Sequence, residues 1–416
     1  MRQHKLLTAT TSLDVPEEIN MSDLHHFHAN PPPSENTLAA LPHCWLRSQS
    51  RPHPPNPVLE GAGYNPASRG ELEWKLSKSK AFQVDFRLGF NQLQEGIMSE
   101  LLGLYIDHQM TAPLAVAQHS AKIKPLATHL ARSGVFSVTT CARVEVYGEE
   151  AALRNIDRTI FSGFSCERIE GVAAIARRLA EIASGAHSQI LGESNISDQL
   201  AKAIEFVNPN LPVFKIASLA IDMGRAARQR QRFIASFNYD QIVRDIIAHR
   251  FSSGELPDRL YIVGAGMLGR GLIRSGVGER FRSTIVVTRN PKNLRKRLRS
   301  WNDIEVALMR PAEIGYGCEP RSVVVIATAD VNDEYEATLQ NALLRLQPRA
   351  IIDLSSIPVL SDDTIGELNY VSMYHEEFLR FIEQNNRQLA PKLPLVFSDI
   401  EATLRTAQAE LSAAAT

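Results

Sequence analysis

Hydrophobic positions change texture along the chain. Up to residue 97 no period of 3.6 or 2 is sustained. From Met98 the apolar positions become ordered. Leu101–Ile106 and Val135–Thr140 read as strands. Ile169–Ala183 places Ile169, Val172, Ala173, Ala176, Leu179, Ala180 and Ala183 at helical spacing. Leu200–Val207 and Phe214–Arg232 also read as helices, the second turning basic at its end. Four short apolar runs follow, Arg259–Val263, Ile285–Thr288, Val323–Thr328 and Ala350–Asp353. Strands that alternate with helical stretches predict a parallel, doubly wound α/β sheet. Glu376–Ala415 reads as helix, broken at Pro391 and Pro394.

Composition sharpens the division at residue 97. The first 97 residues hold 10 of the 22 prolines and 6 of the 12 histidines. Pro31-Pro32-Pro33 and Arg51–Pro57 cannot continue a helix or a central strand. Residues 1–97 are therefore expected to be disordered or loosely extended, or not translated at all. Gln94-Glu95-Gly96 can be encoded by a purine-rich stretch like a bacterial ribosome-binding site, just before Met98. His25-His26-x-His28 reads as a solvated tract rather than a metal site. The 416 residues suggest two or three domains at about 150 residues each. Charge nearly cancels, 45 Lys and Arg against 46 Asp and Glu, which excludes a generally basic nucleic-acid coat. No apolar run reaches membrane-span length, and Leu6-Leu7 is too short for a signal-peptide core. Cys44, Cys141, Cys166 and Cys318 are too scattered for a disulfide framework and form no C-x-x-C. The expectation is a cytoplasmic protein with free thiols and no metal.

Leu260–Gly269 runs strand, glycine turn, helix, with Gly264, Gly266 and Gly269 in a G-x-G-x-x-G pattern that encloses Met267 and Leu268. The first glycine permits the turn, the second lets backbone approach a pyrophosphate, and the third lets helix pack on strand. The phosphates then meet free N–H groups at the helix start. An NAD site usually sets an acid at the end of the next strand. This chain has Thr288-Arg289-Asn290 there, with Lys292 close behind. Arg289 opposes a 2′-phosphate and Thr288 can hydrogen-bond it, so NADPH is the expected cofactor.

The other informative stretch is Ser137–Tyr147. Read as extended, it puts Cys141, Arg143, Glu145 and Tyr147 on one face. A thiol beside a guanidinium can have a lowered pKa. A cysteine together with a nicotinamide site suggests acyl transfer to sulfur and then reduction of the thioester. An inert buried cysteine is the alternative from these residues alone.

Thr139-Thr140-Cys141-Ala142-Arg143-Val144-Glu145-Val146-Tyr147 resembles the S-T-C-N-R-x-E-x-Y signature of glutamyl-tRNA reductase. Ala183–Gln199 is similar to that family's A-S-G-L-D-S-M-V-L-G-E block, and Ile106–Pro113 to its N-H-K-T-A-P segment with one extra residue. The resemblance covers roughly Met98 to Arg387. It implies an N-terminal α+β catalytic domain over 98–235, a Rossmann NADPH-binding domain over 236–370 and a short helical tail over 371–416. It implies Cys141 as nucleophile, with Thr140, Arg143, Ser188, Glu193 and Gln199 binding the substrate and Arg143 taking its carboxylate. Glutamyl-tRNA would pass through a thioester to glutamate-1-semialdehyde, on the route to tetrapyrroles and porphyrins. Arg225, Arg228, Arg230 and Arg232 are candidates to meet tRNA phosphates.

Several positions depart from the family pattern. Ala142 stands for its Asn, Arg178 for a His, His187 for an acid, and Ser194-Asn195 for Pro-Gln. His187 is the candidate to replace the lost imidazole as acid or base. Such changes beside a bound acyl group alter which one fits. The short tail argues against the family's homodimer. Three functions stay open: the glutamyl-tRNA reductase, a relative acting on another aminoacyl-tRNA or acyl thioester, and a non-catalytic NADPH-binding relative.

Overall fold

The computed structural model describes residues 101–414, apart from 155, 237–238, 251–256, 299–305, 316, 329–331, 361–363, 365 and 367. The expectations for residues 1–97, with Cys44, lie outside the described residues.

The chain opens with β1 (Leu101–Asp107), helices α1 (Pro113–Ile123) and α2 (Ala127–Arg132), and strands β2 (Phe136–Thr140), β3 (Arg143–Glu149) and β4 (Glu167–Glu170). The four strands form one antiparallel sheet in the order β2-β3-β1-β4. Side chains alternate across it, as the pleat requires. Leu102, Leu104, Ile106, Val144 and Val146 share a core with Ile123 and Leu130 of α1 and α2. Leu101, Phe136, Val138 and Tyr147 face the other way. There they meet α3 (Val172–Ser184), α4 (Asn195–Ile204) and α5 (Pro212–Arg230). Ile169 belongs to β4, so the helical spacing read from Ile169 takes effect only at Val172, after Gly171 turns the chain. The helix expected at Leu200–Val207 starts earlier and stops sooner, at Asn195–Ile204.

Next come α6 (Tyr239–Arg250), β5 (Arg259–Val263), α7 (Met267–Arg274), β6 (Ser283–Val287), α8 (Pro291–Leu298) and β7 (Ala307–Met309). Then follow β8 (Ser322–Ile326), α9 (Asp333–Leu346), β9 (Ala350–Asp353) and β10 (Tyr370–Ser372). The six strands are parallel, in the order β10-β9-β8-β5-β6-β7. That is the doubly wound order whose direction reverses between the first and fourth strands, the place where such sheets bind dinucleotides. Both faces are covered. Leu339, Leu343 and Leu346 of α9 cover one, and α6, α7, α8 and the later helix α10 cover the other.

The chain ends with α10 (Glu376–Leu389) and α11 (Leu393–Ala414). The break falls at Ala390–Lys392, and Pro394 sits in the first turn of α11, where its missing N–H costs nothing. Helix α11 folds back onto α3 and α5, burying Val396, Ile400 and Leu404 in the core of the first sheet. Arg177–Glu401 and Arg230–Asp399, both at 2.8 Å, tie its flanks down. No helix among the described residues is long and apolar enough to cross a membrane.

Ile400 is fully buried. Ile400→Ala is expected to lower stability by about 3 kcal/mol through lost contacts and a residual cavity. Urea denaturation followed by circular dichroism checks this.

Candidate active site

Strands β2 and β3 pair in register down to Thr140 and Arg143, which leaves Cys141 and Ala142 as the turn of a tight hairpin. Read as extended, the sequence puts Cys141 within a continuous strand. Instead the thiol stands exposed at the hairpin tip. The Ala142 N–H donates to Thr140 Oγ1 at 3.2 Å, and the Ala142 carbonyl accepts from the His108 N–H at 2.9 Å. Arg143, Glu145 and Tyr147 do share a face, and that face points inward.

Glu145 has no solvent exposure. It accepts from Arg143 Nη1 at 3.2 Å, from Arg178 Nε and Nη2 at 3.1 and 2.8 Å, and from the Tyr147 hydroxyl. Arg178 also reaches Asp107 Oδ2 at 3.1 Å, and its guanidinium carbon lies 3.3 Å from the Tyr105 ring centre. Burial alone would raise the Glu145 carboxyl, but the charges of Arg178 and Arg143 outweigh it and hold the carboxyl low. For Asp107 the same contest is won by hydrogen bonds from Arg178 and the Gln109 N–H. Arg178, at the position where the family pattern has an imidazole, thus closes a buried circuit of two guanidinium and two carboxylate groups.

Arg143 is 1% exposed, and its Nη2 donates to the His187 carbonyl. Its Nε is buried with no hydrogen-bond partner among the described residues, and so is His108 Nδ1. Unpaired buried donors are costly. Both lie at the base of the hairpin that carries the thiol. Burial, then the Arg143 charge, pushes the His108 imidazole down, which keeps it neutral.

The loop between α3 and α4 meets the hairpin where Arg143 reaches the His187 carbonyl. Ser188 is nearly buried there, its N–H donating to the Gly185 carbonyl at 3.3 Å. Glu193 is half-buried, receives Asn195 Nδ2 at 3.3 Å, and is pushed up by burial. Although Cys141 reaches solvent at the tip, the protein atoms packed around it desolvate the thiol, and the Glu193 charge adds to that. Together they push it up to about 11, against the weaker pull of Arg143 and Lys124. The lowered thiol pKa expected from the sequence is therefore reversed, because desolvation and the Glu193 charge outweigh the guanidinium beside it. Tyr239 and Tyr374 also sense the thiol's charge; burial raises both, Tyr374 to about 12. The sequence offered no signal for these two tyrosines, which arrive from α6 and from the end of β10.

The His187 ring binds Glu181 Oε2 at 2.8 Å and lies 6.1 Å from the Phe397 ring, so only its carbonyl turns to Arg143. The acid/base role expected of it has no ring contact with the hairpin among the described residues. Gln199 is half-buried in α4. Arg225 pairs with Asp198 at 3.0 Å, Arg228 donates to the Glu193 carbonyl at 3.3 Å, and Arg230 pairs with Asp399 at 2.8 Å. Each of these three cations thus has a partner within the chain, while Arg225 and Arg230 stay partly exposed. Arg232 instead has a left-handed backbone, with φ 47°, and its carbonyl accepts from Lys392 at 2.9 Å.

At the parallel sheet, Gly264 has φ +105°, and a Cβ there would lie 2.6 Å from the Ala327 carbonyl oxygen. A Cβ on Gly269 would lie 2.1 Å from the Gly264 carbonyl oxygen. A Cβ on Gly266 would meet nothing within 4 Å, so open space faces the start of α7 at Met267-Leu268. Arg289 is exposed after β6, 5.8 Å from the Tyr335 ring centre, and the neighbouring Thr288 N–H donates to the Met309 carbonyl at 2.9 Å. These residues fit a dinucleotide phosphate group.

Glu145→Gln removes the charge that compensates two buried guanidinium groups and is expected to cost about 3 kcal/mol at neutral pH. In the wild type this contribution is present above the usual carboxylate range. It is lost as pH falls through the depressed values of Asp107 and Glu145. Urea melts at a series of pH values check both.

The family description "Glutamyl-tRNAGlu reductase, N-terminal domain" matches residues 107–211. Protein nfe2 of Rhizobium meliloti is 61% identical over 310 residues, 74% of this chain and 100% of the relative. Glutamyl-tRNA reductase of Aeropyrum pernix is 25% identical over 292 residues, 66% of this chain and 67% of the relative. The solved structure of glutamyl-tRNA reductase from Methanopyrus kandleri is 19% identical, with TM-score 0.39, covering 76% of this chain and 81% of that one. The chain belongs to the glutamyl-tRNA reductase-like family, as a divergent member.

Proposed function

We propose that this protein is an NADPH-dependent reductase that takes an aminoacyl group from charged tRNA onto Cys141 and releases it as an aldehyde. Glutamyl-tRNA, giving glutamate-1-semialdehyde for tetrapyrrole synthesis, is the first substrate in line. The observation that carries this reading is the exposed thiol of Cys141 on a rigid turn, with unpaired buried donors at its base. On this reading 98–235 performs the acyl chemistry, 236–370 holds the cofactor, and 371–416 supports both.

Cys141 attacks the ester carbonyl. A C–S bond forms, the C–O bond to the tRNA ribose breaks, and the ribose oxygen leaves with a proton. A thiol at about 11 is almost wholly protonated at neutral pH, so attack needs a nearby proton acceptor. Glu193, raised by burial and close enough to perturb the thiol, fills that role. The tight hairpin fixes the sulfur, so little freedom is lost on attack. Arg143 Nε is a spare donor for a substrate oxygen, and Ser188 lines the opposite wall. Gly264, Gly266, Gly269, Thr288 and Arg289 hold the dinucleotide. When bound, its reduced nicotinamide supplies the hydride that converts a thioester to an aldehyde. Cys141 then leaves as a thiolate and recovers its proton.

A second reading is that the acyl group differs from glutamyl. The Asp107–Arg178 ion pair favours it, because it puts a closed charge pair where the family pattern has Asn and His.

Single-turnover reduction with NADPH and a panel of charged tRNAs separates the two readings. Glutamyl-tRNA alone turning over supports the first, and a different one the second. Cys141→Ser is expected to abolish both acylation and reduction. If NADPH oxidation survives in that variant, the thioester reading fails. Arg289→Ala is expected to weaken NADPH on the order of tenfold while leaving NADH unchanged, through loss of a charge-assisted contact. Equilibrium fluorescence titration measures this.

A further inference from the structure

Helix α10 carries two adjacent asparagines near its end, and both reach into the loop that carries Ser188 and Glu193. Asn385 has no solvent exposure. Its Oδ1 accepts from the Ser236 N–H at 2.8 Å and from the Ser236 hydroxyl at 3.1 Å. Its Nδ2 donates to the Leu191 carbonyl at 3.0 Å and to Asn386 Oδ1 at 3.1 Å. Asn386 Oδ1 accepts from the Leu191 N–H, and its Nδ2 donates to the Gln189 carbonyl, each at 2.9 Å. Three backbone groups of the loop, the Gln189 carbonyl and the Leu191 N–H and carbonyl, thus find their partners in two side chains.

The seat is close. Gly192 has φ +76°, and a Cβ there would lie 2.8 Å from the Ala235 nitrogen and 3.0 Å from Leu389 Cδ1. The Gly192 carbonyl accepts from the Ala235 N–H at 3.2 Å. Helix α10 is anchored in two cores. Phe378 and Ile382 lie beneath the parallel sheet, while Leu389 belongs to the core of the antiparallel one.

We propose that Asn385 and Asn386 are positioning residues that hold the 189–192 loop, whose start is tied to the Cys141 hairpin by Arg143 at the His187 carbonyl, so that Glu193 stays near that hairpin, and register the loop to the parallel sheet. The proposal rests on Cys141 being the reacting thiol. An amide suits the task because it offers a donor and an acceptor side by side. A carboxylate would turn an acceptor toward the Leu191 or Gln189 carbonyl, and a methyl would leave those backbone groups unpaired.

The charges that reach the thiol come from separate elements: Glu193 from the loop, Arg143 from the hairpin and Lys124 from the turn after α1; Tyr239 from α6 and Tyr374 after β10 are titratable neighbours that burial keeps neutral. Of these, Glu193 is the one the asparagines hold. Releasing the loop therefore takes a negative charge away from the thiol and makes it more acidic.

The test is the pH dependence of Cys141 alkylation by iodoacetamide, resolved by peptide mass spectrometry on the full chain. It compares wild type, Asn386→Ala, Asn386→Asp, Glu193→Gln and the double variant Asn386→Ala with Glu193→Gln. Glu193→Gln is expected to lower the midpoint by about one pH unit. Both Asn386 variants are expected to lower it in the same direction, and the double variant to add nothing further. Thermal melts confirm that each variant is folded. An Asn386 variant that melts earlier yet keeps the wild-type midpoint overturns the proposal, since a merely structural bond would behave that way. An unmoved midpoint in Glu193→Gln overturns it as well. Both failures leave the aminoacyl reading standing, because that reading is decided by the Cys141→Ser turnover assay.

Discussion

The antiparallel half of this fold depends on one buried carboxylate. Glu145 receives Arg143, Arg178 and Tyr147, and each of those groups joins a different part of the structure to the hairpin. Arg143 links β3 to the loop at His187, and Arg178 links α3 to β1 through Asp107. A buried charge is costly alone and tolerable only when paired and hydrogen-bonded. The circuit therefore forms as a whole or not at all, and the turn that presents Cys141 inherits its rigidity.

A second constraint joins the two sheets. Helix α10 spans both cores, and α11 closes over the outer face of α3 and α5. The acyl loop is thus fixed from two directions: Arg143 grips its start at His187, and the asparagine pair grips its middle. The parallel sheet is joined to the antiparallel one through the packing of α10.

Much of the parallel sheet was legible. Arg259–Val263 and Ala350–Asp353 were read with the bounds the structure has, because each is a short apolar run that begins two residues after a proline. The glycine motif was legible for the same reason: its chemistry is local. The antiparallel sheet was less so. Val138 to Val146 alternates well enough to pass for one strand, and only the pairing of Thr140 with Arg143 reveals a turn at Cys141. The site was half legible. Cys141, Arg143, Ser188 and Glu193 sit in recognisable motifs, whereas Tyr239, Tyr374, Asn385 and Asn386 come from distant segments whose local sequence says nothing about the thiol. The ion pairs of the basic run at Arg225–Arg230 were not legible, because the partners Asp198 and Asp399 lie on other helices.

The raised thiol has a consequence for survival. Peroxide and stray disulfides react with thiolate, not with thiol. An exposed cysteine at an ordinary pKa would be a ready target for oxidation. Cys141, pushed up to about 11, stays protonated between encounters. The same desolvation that makes attack dependent on a neighbouring base shields the sulfur from sulfenic acid formation while the site is idle.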